Sequence, residues 1–168
     1  MRSGYKRLIF TAVFIALIFI TTAYILHIPA GNGYIHIGDS LIYLAASCLP
    51  APFAMAAAAL GAGLSDALTG FPQYILFTII IKLLNALCFT GKGTKLLTKR
   101  NIAAPFVSAL ITIAGYYLAD VFLYGSWVSP LATIPQSLIQ AGGSLAVYLI
   151  LAFALDKLDF KRRVLGAL

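Results

Sequence analysis

Side chains that carry charge or exchange protons are scarce here, and several sit inside otherwise apolar runs. Asp66 and Lys82 lie within SDALTGFPQYILFTIIIKLLNA at residues 65–86, with Asn85 one helical turn beyond Lys82. Asp39 opens another apolar run, Asp120 precedes Tyr124 by four residues, and Gln136 and Gln140 are four apart. Tyr34, His36, Tyr74 and Trp127 fall in or beside connecting segments. In an apolar medium such groups serve three kinds of chemistry: a mutual ion pair, hydrogen bonds to a bound ligand, or proton and ion coupling. Catalysis has little to stand on. The five acids are all aspartate, HExxH is absent, and neither His27 nor His36 lies near Ser65, so no catalytic residue is expected. TGKGTKLL at 90–97 lacks the G-x-x-x-x-G-K-[ST] spacing of a phosphate loop. Cys48 and Cys88 have no partner at metal-ligand spacing and read as small core residues; no metal and no cofactor is expected.

The elements that position these residues follow from composition. Of 168 residues, 61% are hydrophobic and 10% charged, and the mean hydropathy is +0.96. That is the make-up of an all-α integral membrane protein, multi-pass in the plasma membrane. The net charge of +7 does not indicate a nucleic-acid partner, because the basic residues cluster beside apolar runs and not on one folded face. The first apolar run, 8–28, is longer than a signal-peptide core and reads as a retained helix. Further helices are expected at about 39–49, 53–68, 74–89, 102–124 and 133–155, making one six-helix domain over residues 1–168. Pro50 and Pro52 separate the second from the third, since proline removes a backbone donor and restricts the residue before it. Six transmembrane helices in a compact bundle, with N- and C-termini cytoplasmic, put Arg2, Lys6, Arg7, Lys92, Lys95, Lys99, Arg100, Lys157, Lys161, Arg162 and Arg163 on one side. The outer loops then carry no lysine or arginine. Five spans would export the basic loop at 92–100.

Lys82 is the one cation this arrangement leaves within a span. About eight residues into helix 4, it is expected roughly 12 Å below the outer surface. Its head can snorkel toward Asp66, near the outer end of helix 3, in an ion pair that is structural or shared with a ligand. Tyr34, His36, Asp39, Tyr74, Lys82, Asn85, Asp120, Trp127, Gln136 and Gln140 all fall in the outer half of the bundle. The inner half is nearly free of ionisable groups, which suggests a ligand pocket open outward over an apolar floor. Ala59 with Gly63 and Ala58 with Ala62 form small-xxx-small pairs in helix 3, and Gly142, Gly143 and Ala146 are expected to act likewise in helix 6.

Ala12 and Ala16 form an AxxxA motif in helix 1, and two longer blocks, YIHIGDSLIYLAA and GAGLSDALTGFPQYILFTIIIKLLNA, surround the polar residues. With these features the whole chain resembles the substrate-binding S-components of energy-coupling factor (ECF) transporters, which take up vitamins and related micronutrients. The resemblance implies that Ala12 and Ala16 dock a transmembrane coupling subunit and that two cytoplasmic ATPases supply the energy. It also implies a ligand near the outer face, contacted by helices 4, 5 and 6 and capped by loop 1. The protein itself would not be an enzyme. The excess of carboxylates over the single buried cation favours a neutral or cationic heteroaromatic ligand over a polyanion. Thiamine precursors, B6 vitamers, riboflavin-like molecules and modified-base precursors all fit. The rival reading is a stand-alone secondary transporter that uses Asp66, Asp120 or Lys82 for ion coupling; a membrane-integral enzyme or assembly factor is a third.

Overall fold

The computed structural model describes residues 2–25, 27–30 and 33–165. Six helices dominate: α1 (Arg2–Ala23), α2 (Gly38–Cys48), α3 (Ala51–Leu68), α4 (Ile75–Cys88), α5 (Lys99–Tyr124) and α6 (Ile134–Lys157). Short 3₁₀ turns at Pro72–Tyr74 and Ser129–Thr133 lead into α4 and α6. Helix α3 starts earlier than the sequence pattern suggested. Pro50 is its N-cap and Pro52 lies in the first turn, where a missing N–H costs nothing because no intrahelical acceptor exists there. Between α1 and α2 an unexpected hairpin pairs β1 (Ile28–Ala30) with β2 (Gly33–Ile35).

Helices α1, α3, α5 and α6 are long and apolar enough to cross a membrane. Helix α2 has 11 residues, or about 16 Å of rise, roughly half of the ~30 Å hydrocarbon layer. The hairpin consumes the residues that would have lengthened it. Helix α2 is also the most buried element, enclosed by α1, α3, α4 and α6.

Small residues in α3 bring its neighbours close. Ala58, Ala59, Ala62 and Gly63 are all buried. A Cβ on Gly61 would stand 2.8 Å from the Ile18 side chain and 3.0 Å from the Ile15 carbonyl in α1, and one on Gly63 would stand 3.1 Å from Ile79 in α4. Gly115 does the same between α5 and α4, 2.6 Å from Ile81. Helix α6 departs from expectation: a Cβ on Gly142 or Gly143 meets nothing within 4 Å, and Ala146 is exposed. These small residues of α6 are not used for close helix approach, although Ser144 between them is buried.

At one end of the bundle, Arg7, Lys92, Arg100, Lys161 and Arg162 line a common cleft. The start of α1, the loop at 89–98 and the segment after α6 are therefore on the same side. Asn101 and Asp156 hold that loop in place. Asn101 accepts from the Thr90 N–H at 2.8 Å and donates to the Thr90 and Leu96 carbonyls at 2.9 and 2.8 Å. Asp156 accepts from the Leu96 and Leu97 N–H groups at 2.7 and 2.9 Å.

Candidate functional site

The opposite end holds a cavity of about 80 Å³ lined by residues of several elements. Helix α5 contributes Thr112, Tyr116 and Asp120, spaced four apart and so on one helical face. From the start of α6 and the turn before it come Thr133, Gln136, Ser137 and Gln140, again one face. The end of α3 and the following turn supply Asp66, Phe71 and Tyr74, and His36 closes the cavity from the connection between β2 and α2.

Of the residues singled out from the sequence, the cavity wall brings together His36, Asp66, Tyr74, Asp120, Gln136 and Gln140. Asp39, Lys82 and Asn85 lie behind the wall and are 2%, 1% and 0% exposed. Trp127 does not line the cavity. It is 67% exposed, and its carbonyl accepts from the Tyr117 hydroxyl at 2.7 Å. Tyr34 belongs to β2, and its side chain lies outside the described residues. Phe71, Thr112, Tyr116, Thr133 and Ser137 were not anticipated. Thr112 and Tyr116 could be reached by stepping back four residues at a time from Asp120, and Thr133 and Ser137 by stepping back three from Gln136 and Gln140; Phe71 had no such signal.

The carboxylate against Lys82 is also not the expected one. Lys82 Nζ stands 2.7 Å from Asp39 Oδ1, where Asp66 had been expected. Because α2 is short and begins below the hairpin, its first turn lies at the depth of Lys82. Asp66, at the end of α3, stays in the cavity wall. The other Asp39 oxygen accepts from Gln140 Nε2 at 3.2 Å, and Gln140 Oε1 accepts from the His36 N–H at 3.3 Å. His36 Nδ1 accepts from the Gly38 N–H at 3.0 Å, so a neutral ring carries its proton on Nε2. Burial is the main reason that the His36 pKa is pushed down to about 4; Lys82 and His27 add to the shift and Asp39 opposes it. The chain Lys82–Asp39–Gln140–His36 thus ties α4, α2, α6 and loop 1 into one network reaching the cavity.

Two further contacts shape the wall. Tyr74 donates to Asp120 Oδ1 at 2.6 Å, and with its one proton so used it receives the Tyr124 hydroxyl at 3.1 Å. Tyr116 lies under the Lys82 ammonium, 5.3 Å from Nζ to the ring centroid, and its hydroxyl meets Thr78 at 3.0 Å. Asn85 reaches the wall indirectly, donating to Thr112 Oγ1 at 2.8 Å.

Behind the cavity wall and toward the opposite end, the bundle also holds uncharged polar groups. Asp39, Tyr43 and Ser47 form a buried polar stripe along α2. The Tyr43 hydroxyl accepts from Ser108 at 3.2 Å, Ser47 pairs with the Tyr148 hydroxyl at 2.8 Å, and Phe89 stacks on Tyr43 with 4.8 Å between centroids. Hydroxyl groups that satisfy one another carry no charge, so counting ionisable residues missed them. Among the described residues the cavity wall itself carries two carboxylates, Asp66 and Asp120, while the Lys82 charge behind it faces Asp39.

Comparison with known proteins agrees with a transport role. The family model described as "ECF-type riboflavin transporter, S component" matches residues 3–157. No curated protein matches.

Proposed function

Since the chain belongs to the family of ECF-type riboflavin transporter S components, and so to a family of multi-pass plasma-membrane transport subunits and not enzymes, we propose that it captures a small flat heteroaromatic ligand in the cavity between α3, the turn before α4, α5, α6 and loop 1. The ligand is neutral or cationic, with hydrogen-bond donors at its edge, and is of the riboflavin type that the family description names. It enters from outside, and the chain hands it to a transmembrane coupling subunit driven by two cytoplasmic ATPases.

One observation carries the reading: a polar, aromatic, net acidic cavity at the end of the bundle away from the basic cleft. Basic loops are retained in the cytoplasm, which turns the cavity outward and puts both termini inside. Six passes follow if the two shorter helices, α2 and α4, each serve as one. Asp66, Tyr74, Asp120, Gln136 and Gln140 contact the ligand; Lys82, Asp39 and Asn85 position that wall from behind. A cavity of about 80 Å³ holds only a few waters, so a fused ring system requires the walls to part. The seam between His36 and Gln140, held by a 3.3 Å bond, is where loop 1 lifts.

Ala12 and Ala16 are exposed on α1 and form the docking face for the coupling subunit. The test measures riboflavin binding by the purified chain, through quenching of flavin fluorescence, and uptake in cells with and without the coupling module. The reading requires binding by the chain alone and uptake only with the module and ATP. Ala12→Trp and Ala16→Trp are expected to keep binding and lose uptake. Ionophore-sensitive uptake without the module would support a secondary transporter instead.

A further inference from the structure

The basic end of the bundle carries an open cleft of about 890 Å³ lined by Arg7, Lys92, Arg100, Lys161 and Arg162, with no carboxylate in its wall among the described residues. Two of these cations have local partners. Helices α2 and α4 both end here and leave C-terminal carbonyls without intrahelical donors. Lys161 Nζ donates to the Ser47 carbonyl at 2.9 Å, and Arg100 donates from Nε and Nη2 to the Cys88 and Leu87 carbonyls at 2.8 and 2.7 Å. A cation at a helix C-terminus needs no further explanation.

Arg7, Lys92 and Arg162 are not used in this way. Arg162 has only a 3.7 Å contact with Asp159, exposed on both sides and therefore weak. Lys92 is exposed on the loop. Arg7 Nε is buried with no hydrogen-bond partner among the described residues, a costly state for a guanidinium nitrogen. The facing wall is the glycine-containing loop 90–94, which is fixed in place. A Cβ on Gly91 would overlap the Leu49 carbonyl, Gly93 has φ +85°, and Asn101 clamps Thr90. Next to the charges the wall turns apolar, with Cys48, Leu87 and Phe89.

We propose that this cleft binds the phosphate headgroup of an anionic phospholipid, held by Arg7, Lys92 and Arg162. The cleft sits where α1 begins and α2 and α4 end, at the level of a membrane surface, and clustered cations between spanning helices attract such headgroups. The apolar part of the wall suits the glycerol and upper acyl region. A free nucleotide would find neither a phosphate loop of the required spacing nor a carboxylate for its ribose. The site does not depend on which ligand the outer cavity takes.

Native mass spectrometry of the detergent-purified chain with phosphatidylglycerol or phosphatidylcholine of matched acyl chains tests it. The chain should retain phosphatidylglycerol preferentially. Lys92→Gln should reduce that preference roughly fivefold, and adding Arg7→Gln roughly twentyfold in total. Lys92 is exposed, so its variant carries the test even if Arg7→Gln lowers the thermal midpoint. Equal retention of the two lipids overturns the proposal, as does a preference that survives both substitutions. Displacement of phosphatidylglycerol by millimolar inorganic phosphate also overturns it, because the cleft would then be a small-anion site.

Discussion

Lys82 and Asp39 are almost wholly buried and meet at 2.7 Å. In such a pair desolvation offsets much of the Coulomb attraction, whereas removing one partner strands the other. Lys82→Met or Asp39→Asn alone is therefore expected to cost about 3 to 5 kcal/mol, and the double variant to recover much of it. Thermal unfolding of the four proteins in detergent measures the cycle. Recovery by Asp66→Asn in the Lys82→Met background, and not by Asp39→Asn, would restore the pairing expected from the sequence. His36 carries the second residue-scale consequence. Its ring stays neutral in the folded protein down to about 4, whereas the unfolded chain takes up the proton near 6.5. The unfolded state binds more protons in that window, so stability is complete above about 6.5 and falls as pH drops toward 4, by up to roughly 3 kcal/mol. His36→Gln should flatten this part of the pH profile of the unfolding midpoint; an unchanged slope would assign the titration to another group.

Among the elements, α3 depends on small residues and α6 does not. Gly61 has Ile18 and the backbone of Ile15 at 2.8 and 3.0 Å from the position of a Cβ, and the backbone carbonyl cannot move aside cheaply. Gly61→Val should separate α1 from α3 and lower stability by about 1 to 3 kcal/mol. Gly142→Ala meets nothing within 4 Å and relieves a glycine inside a helix, so it should be neutral or stabilise by up to about 1 kcal/mol. Unfolding midpoints of the two variants should move in opposite directions or differ by at least that margin. From sequence spacing the two helices looked alike. A small-xxx-small pattern states that close approach is permitted, and the neighbour that takes advantage of it is a matter of packing.

On the scale of the whole molecule, the cavity and the basic cleft lie at opposite ends, and their orientation across the membrane is open to chemical labelling. With Cys48 and Cys88 replaced, a membrane-impermeant maleimide added to intact cells should modify Trp127→Cys and leave Lys95→Cys untouched. Strong modification at Lys95 would turn the bundle over. Membrane character, a helical fold and the kinship to S-components were all legible in the chain itself. Apolar runs and basic flanks are local properties, and the medium reads them directly as length and charge. His36, Asp66, Tyr74, Asp120, Gln136 and Gln140 could also be picked out, because a polar side chain in an apolar run is conspicuous. The inward faces of α5 and α6 could not. In lipid both sides of a helix are apolar, so hydrophobic periodicity no longer marks the buried face, and Thr112, Tyr116 and Ser137 gain meaning only once α5 and α6 are packed. The partner of Lys82 depended on depth, and depth was decided by a hairpin that shortens α2 and lowers Asp39 to the level of the ammonium. Which charges meet is a property of how far each helix reaches, and only the tertiary structure determines that.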